Sequence, residues 1–150
     1  MREVKRSALI AASPARLFGL INDVERYPEF LPWCTSSEVK QRDEGQIVAT
    51  LGVRKGLLRM HFTTRNVLTA DRSIRMELVD GPFRSLQGLW TLTPIAAPGE
   101  EPGAVAGCRV DLELRFEFAG AFGGAMLEPV FEAMATSLFD AFLARARSTS

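Results

Sequence analysis

Few side chains in this sequence combine the type and the spacing that enzymatic chemistry requires. His61 is the only histidine, and strand alternation places it on the polar side of its segment, where a solvent-facing role is favoured over catalysis or metal binding. Cys34 and Cys108 are far apart, and Cys34 has no neighbouring base to generate a thiolate. No Ser/His/Asp pattern and no glycine-rich phosphate loop occurs. We therefore expect no catalytic residue, no metal site and no nucleotide site.

Two carboxylates stand at a spacing that would suit acid–base work. Glu25 and Glu29 are four residues apart, so they would be neighbours on one face of a helical turn. They can serve as acid and base, or they can form a solvated face together with Arg26. The solvated face is the favoured interpretation. The sequence therefore predicts a protein that binds rather than catalyses.

The segment from Tyr27 to Cys34 concentrates aromatic and proline residues. Tyr27, Phe30 and Trp33 alternate with Pro28 and Pro32 in a short stretch. Aromatic side chains usually fill cores, so this segment can be a plug that holds a loop against the rest of the fold. The same rings placed around an opening would suit a flat apolar ligand, which stacks on ring faces. Both alternatives remain open at this point.

The net charge of the chain is zero, so the protein creates no general electrostatic attraction for a polyanionic partner. Eighteen basic and eighteen acidic side chains cancel in a chain of 150 residues, so binding to DNA is not expected. The clearest local excess of positive charge comprises Arg54, Lys55, Arg59 and Arg65. This basic cluster is either a solvated face or a patch for ribosomal RNA or anionic lipid, through contacts with phosphates.

The elements that position these residues follow from periodicity. Arg2 to Ile10 alternates as a strand, and Ser13-Pro14 marks a helix start, with serine as cap and proline at a position that needs no N–H. A second, shorter helix is confined by Pro28 and Pro32. A period of two then predicts strands whose inner faces are Ile47, Ala49, Leu51 and Val53; Leu58, Met60, Phe62, Thr64, Asn66 and Leu68; Ile74, Met76 and Leu78; Leu86, Gly88, Trp90 and Leu92; and Val110, Leu112, Leu114, Phe116 and Phe118. The outer faces include Arg59, His61, Arg75 and Glu117.

A long amphipathic helix closes the chain, and we expect Pro129 to begin or to kink it. Its apolar face is predicted to comprise Met126, Leu127, Val130, Phe131, Met134, Leu138 and Phe142. The predicted fold is a single α+β domain over residues 1–150, in which a curved antiparallel sheet of six to seven strands wraps around this helix, with two short helices after the first strand. Because a long sheet twists away from a straight helix, a cavity lined by aromatic and Met side chains is expected between them.

Several runs in this sequence closely resemble the coenzyme Q-binding, polyketide cyclase-like START family. They are Asn22–Cys34, Phe62–Asn66, Leu78–Phe83, the Gly88-Leu89-Trp90 step and Ala141-Phe142. The resemblance implies the helix-grip (START-like, SRPBCC) fold and a ubiquinone-like isoprenoid bound in the cavity, in support of respiratory electron transfer. The same family includes ribosome-association toxins, which implies the alternative of binding to the large ribosomal subunit and blocking subunit association. It also includes cyclases that act mainly by folding a substrate inside the cavity.

We expect the isoprenoid quinone as a bound ligand, with no other cofactor. The side chains predicted to contact it are Tyr27, Phe30, Leu31, Trp33, Met60, Phe62, Met76, Leu78, Leu86, Trp90, Phe116, Phe131 and Met134. The N-terminal residues have no apolar core typical of a signal peptide, and no apolar run approaches the ~20 residues that span a bilayer. The expected location is the cytoplasm, with transient contact at the inner face of the membrane.

Overall fold

A seven-stranded antiparallel sheet and a long C-terminal helix form the frame of the part of the chain that the computed structural model describes, residues 2–97, 99, 105–120 and 124–148. The strands are β1 (Arg2–Ile10), β2 (Cys34–Arg42), β3 (Gln46–Lys55), β4 (Leu58–Thr69), β5 (Ser73–Asp80), β6 (Phe83–Ala96) and β7 (Val105–Phe118). The helices are α1 (Pro14–Asn22), α2 (Tyr27–Phe30) and α3 (Gly124–Ser148), with a 3-10 turn at Val24–Arg26.

The order of the strands across the sheet is β1-β7-β6-β5-β4-β3-β2, so the first strand lies beside the last. After β1, the chain passes through α1 and α2 to the opposite edge, where β2 begins, and each later strand pairs with the one before it. The helix α3 then contacts β1, β4 and β7 and covers the apolar face. This arrangement confirms the predicted α+β helix-grip fold.

Alternation along the strands separates an apolar face from a charged face, as predicted. On the charged face Arg59, His61 and Arg75 are exposed and Glu117 is half-buried. Because a slip of one residue would move every side chain of a strand to the other face, these positions confirm the predicted orientation of the strands. The residues predicted for the inner face are correspondingly buried or half-buried against the core: Met60, Phe62, Met76, Leu78, Trp90 and Phe116.

The strand β2 carries no apolar alternation, and the sequence patterns singled out only the other six. It is an edge strand, and most of its side chains are exposed. Its pairing with β3 is interrupted between Cys34 and Ser36 and again between Val39 and Gln41. Since neither face of an exposed edge strand has to be apolar, pairing with β3 rather than burial defines this strand.

The ends of the helices partly agree with the sequence signals. The Ser13 hydroxyl accepts a hydrogen bond from the Arg16 amide at 3.1 Å, as expected of a cap, and Pro14 is the first residue of α1. One expectation for α3 is wrong. Met126 is 75% exposed, because it lies in the first turn, ahead of the part of α3 that packs on the sheet. Of the two alternatives for Pro129, the first is excluded because α3 starts at Gly124 and includes the proline, and a kink at Pro129 stays a prediction.

Candidate ligand-binding cavity

A cavity of about 90 Å³ lies between the apolar face of the sheet and α3. The sheet side is formed by inner-face residues of β3 to β7, and the helix side by one stripe of α3. The 3-10 turn and the segment from Tyr27 to Trp33 close one flank. Eight of the thirteen residues predicted to contact a ligand line this cavity: Tyr27, Trp33, Phe62, Met76, Leu86, Trp90, Phe131 and Met134.

The other five predicted residues lie outside the cavity wall. Leu31, Met60 and Phe116 are buried in the core, and Leu78 is half-buried against it. Phe116 packs behind the wall, with its ring centre 4.7 Å from that of Phe131. The contact of all thirteen residues with a ligand stays a prediction.

Phe30 is the fifth of these residues, and it is half-buried on the flank formed by α2. The Arg145 guanidinium lies 4.6 Å from the centre of its ring. The Phe142 ring meets it edge-on at 5.2 Å. Phe30 therefore ties α2 to the C-terminal half of α3, outside the cavity wall.

Two aromatic residues of the wall are held by polar groups at their outer ends. The Tyr27 hydroxyl donates to the Ile21 carbonyl, and burial raises the pKa of this phenol well above its ordinary value. The Trp33 Nε1–H donates to the Ser137 hydroxyl on α3 at 3.4 Å. The Tyr27 ring also meets Phe142 edge-on at 5.3 Å. Each polar tip is therefore satisfied, while the rings supply apolar surface to the cavity.

Two polar residues interrupt the apolar wall. Thr64 and Asn66, two residues apart on β4, both line the cavity and are about nine-tenths buried. The Thr64 hydroxyl donates to the Asn66 amide oxygen at 3.0 Å. The sequence alternation had placed both on the inner face without assigning them to the site. Their polarity on an otherwise apolar face was the signal that could have identified them.

The cavity wall also contains apolar residues that were not among the predicted ligand contacts. They are Val24, Ala49, Leu51, Val53, Leu112, Leu114, Ala135, Leu138 and Phe142. All but Val24 and Ala135 belong to faces that periodicity had marked as apolar. Periodicity identifies the face, but the curvature of the sheet decides which residues of that face border a gap.

The groups considered for chemistry lie away from an activating environment. Cys34 is buried, its thiol contacts the Ser36 carbonyl at 3.4 Å, and burial raises its pKa to about 11. Burial also raises the pKa of the Cys108 thiol. His61 is exposed on the outer face. In the described ranges, His, Cys, Asp and Glu side chains form no group of three that could hold a metal ion.

None of the helices in the described part of the chain is both long enough and apolar enough to cross a membrane.

Comparison with known proteins places these features in a family. A family model described as polyketide cyclase / dehydrase and lipid transport matches residues 10–143. The ribosome association toxin RatA of Pseudomonas aeruginosa is 44% identical over 144 residues, 96% of this chain and 94% of that protein. The mitochondrial coenzyme Q-binding protein coq10 of Schizosaccharomyces pombe is 28% identical over 148 residues, 95% and 85% of the two chains.

A similar fold occurs in the Zhui aromatase/cyclase from Streptomyces sp. R1128. The TM-score is 0.74, and the match covers 97% of this chain and 93% of that one. The two sequences are 20% identical, so this likeness concerns the fold alone.

Proposed function

This chain belongs to the polyketide cyclase / dehydrase and lipid transport family, and on that premise we propose that it binds a hydrophobic isoprenoid quinone of the ubiquinone type between the sheet and α3. In this role it acts as a lipid chaperone that supports respiratory electron transport. The observation that carries the proposal is the cavity itself, whose wall is apolar and rich in aromatic rings. The similarity to a protein named as coenzyme Q-binding supports it.

The energy of binding comes from removing the ligand from water. Each methylene group of a prenyl chain gains ~0.8 kcal/mol on burial, so a few isoprene units contribute several kcal/mol. Trp33, Phe62 and Trp90 offer ring surfaces on which a flat quinone head can stack. No charge is needed for either interaction.

The cavity has to widen to hold a prenylated ligand. Its volume of about 90 Å³ is well below the roughly 300–1,000 Å³ of sites that enclose drug-sized ligands. Contacts that join α2 and its flanking residues to α3 have to give way for this, and the polar ones among them are individually weak. They include the Trp33–Ser137 hydrogen bond and an ion pair at 3.5 Å between Glu29 and Arg145. An ion pair with such exposure is worth ~1 kcal/mol or less.

We propose a binding protein rather than an enzyme. The polar groups in the wall include the Thr64 hydroxyl and the Asn66 amide. Neither group ionises near neutral pH, so neither is suited to general acid–base catalysis. Cys34, with its raised pKa, is protonated at pH 7 and is a poor nucleophile. A family relationship to cyclases leaves one catalytic mode, the folding of a substrate by the shape of the cavity, and turnover assays with polyketide substrates test it.

Extraction of bound lipid is the direct test of the proposal. Protein purified from its own host is extracted with organic solvent, and the extract is analysed by mass spectrometry. We expect a prenylated quinone at a substantial fraction of one molecule per chain. A chain that carries no quinone, and that binds none on titration with a short-chain ubiquinone, contradicts the proposal.

Quenching of tryptophan fluorescence can be used to follow the titration of the protein with a short-chain ubiquinone. The sequence has two tryptophans, Trp33 and Trp90, and both line the cavity. A quinone bound between them quenches both, whereas a quinone adsorbed on the outer surface quenches neither strongly. In the Trp33→Phe variant, Trp90 is the only fluorophore of this type, and its quenching reports on the interior of the cavity alone.

A second candidate function, association with the ribosome, is favoured by the basic cluster. In the described residues Arg54, Lys55, Arg59 and Arg65 are exposed, and none of the four forms an ion pair. Arg65 lies further along β4, opposite Glu77 on β5, so the other three residues make up the positive end of the β3–β4 hairpin. Arg54 and Arg59 face each other across the β3–β4 hairpin, so like charges are held together at its end. Unpaired cations of this kind can contact RNA phosphates. The relative from Pseudomonas aeruginosa is named a ribosome association toxin.

Co-sedimentation with the large ribosomal subunit tests this second candidate. We expect binding that weakens steeply as salt is raised, and that is lost in the double variant Arg54→Glu, Arg59→Glu. The double variant Arg72→Glu, Arg147→Glu, at two exposed arginines outside the basic cluster, changes the net charge by the same amount and is the matched charge control, which retains binding. If both variants bind equally, the hairpin is not the contact.

A further inference from the structure

The amide of Asn66 is a partly satisfied polar group in the wall of the apolar cavity. Asn66 is 8% exposed and lines the cavity wall. Its neighbours across the strands are Ile47 on β3 and Met76 on β5, which offer no polar side chain. The amide oxygen accepts a hydrogen bond from Thr64, and among the described residues the amide nitrogen has no hydrogen-bond partner.

An apolar residue would fill this position better if the cavity held only hydrocarbon. A buried amide costs stability unless its hydrogen bonds are made, and a primary amide can donate two. The Thr64 hydroxyl fixes the orientation of the amide by bonding to its oxygen, which leaves the N–H groups as the free end. The Thr64–Asn66 pair therefore offers the N–H groups of the Asn66 amide as hydrogen-bond donors to a ligand in the cavity.

We propose that Asn66 recognises a carbonyl oxygen of the ligand, with Thr64 as the residue that positions its amide. This inference rests on the proposed function and specifies the chemistry of the ligand. The molecule is an apolar body with a ring carbonyl, as in a quinone, and the ring lies deepest in the cavity with the first isoprene units behind it. A plain hydrocarbon chain does not satisfy the amide.

The size of the cavity agrees with this orientation. A cavity of roughly 150 Å³ holds a bare benzene ring, so a cavity of about 90 Å³ has to widen to admit a quinone head, whose substituents make it larger than benzene. A prenyl chain of many units would need far more space. Entry of the head with its first isoprene units therefore requires a smaller rearrangement than entry of the whole chain.

Two probes and three variants test the inference. The probes are a short-chain ubiquinone and a prenylbenzene of equal chain length without ring oxygens, each titrated by isothermal calorimetry. The variants are Asn66→Leu, Thr64→Val and Thr63→Val, of which the last is the matched control. Thr63 is the neighbour of Thr64 on the same strand, bonds to Thr50 at 2.6 Å, and is absent from the cavity wall.

Wild-type protein should bind the quinone at least tenfold more tightly than the prenylbenzene. In Asn66→Leu the quinone affinity falls at least tenfold, while the prenylbenzene affinity stays equal or rises. Thr64→Val weakens quinone binding by a smaller factor, because the amide remains but loses its orientation. Thr63→Val changes neither affinity.

The outcomes separate the inference from the proposed function. If wild-type protein binds neither probe, the proposed function is overturned and the inference falls with it. If wild-type protein binds both probes equally, or if Asn66→Leu retains full quinone affinity, the inference is overturned while the proposed function stands. If Asn66→Leu does not fold, Thr64→Val decides instead, because unchanged quinone affinity in that variant overturns the inference.

Discussion

The Trp33 indole on one flank of the cavity and the Ser137 hydroxyl on α3 are joined by a hydrogen bond of 3.4 Å. The two residues are 104 positions apart in sequence, and Trp33 is itself part of the cavity wall. The bond therefore joins the cavity wall to α3. We expect a ligand to enter between α2 and α3, where it would have to pass this contact.

Removing the bond should speed exchange of the ligand. In Ser137→Ala the indole loses its acceptor, and we expect both association and dissociation of a short-chain ubiquinone to become several-fold faster. The free energy of unfolding should fall by only about 0.5–1.5 kcal/mol, as for a single hydrogen bond. Stopped-flow quenching of tryptophan measures the rates. Thr136→Ala, on the next residue of α3, should leave them unchanged, and equal rates in both variants would show that the bond does not limit access.

The stability cost of Trp33→Ala should be lower than that of Phe139→Ala. Phe139 is 2% exposed and stacks on Trp90 at 5.9 Å, outside the cavity wall, so its truncation should cost about 3–5 kcal/mol. Trp33 is also buried, but one side of its ring borders empty space, and we expect a loss of about 2–3 kcal/mol. Urea denaturation without ligand measures both losses. Equal losses would mean that Trp33 is packed as an ordinary core residue.

Gly88→Ala should shrink the cavity without unfolding the protein. Gly88 lies opposite Met76, and a Cβ atom at position 88 would overlap the Met76 methyl group. Since that methyl is the flexible end of a side chain in the cavity wall, it can move into the cavity. We expect quinone affinity to fall at least tenfold with a modest loss of stability. Gly19→Ala, on α1 with no atom within 4 Å of the added carbon, should bind normally. Unchanged binding by Gly88→Ala would place the ligand away from Met76.

The protein should lose stability as the pH rises through the range in which Cys34 ionises. Burial raises the pKa of Cys34 from its ordinary value near 9 to about 11, so the thiol stays protonated in the folded chain while it ionises in the unfolded chain. The contribution of this group is complete below pH 9 and is lost between pH 9 and pH 11. Urea midpoints across this range should fall less in Cys34→Ala than in wild-type protein. Parallel slopes for the two would show that the thiol ionises equally in both states.

The sequence predicted the faces of the strands well, because burial on one side leaves a period of two that is visible in residues such as Met60, Trp90 and Phe116. It did not single out β2, whose exposed edge position imposes no pattern. It assigned Met126 to the buried face of α3, since periodicity does not indicate where the sheet ends beneath the helix.

The cavity wall was predicted less completely than the fold. Thr64 and Asn66 were placed on the inner face, yet a gap in the packing depends on curvature and on the fit of many side chains at once. Leu31 and Phe116 were predicted as ligand contacts, and they lie in the core beside the wall. Residue type alone does not distinguish a side chain that borders a gap from one that fills it.

The pairing of the first strand with the last has a consequence for the synthesis of the protein. Arg2 is opposite Phe116 in the sheet, and α3 follows only after that strand. Contacts between such distant parts of a chain form late, because a long loop has to close first. As the ribosome makes the chain from its N-terminus, β1 emerges early but waits for nearly the whole sequence before its partner exists. Any ligand can therefore be enclosed only after β7 and α3 have been made, and a chain truncated before α3 would expose the apolar face of its sheet to the surrounding solution.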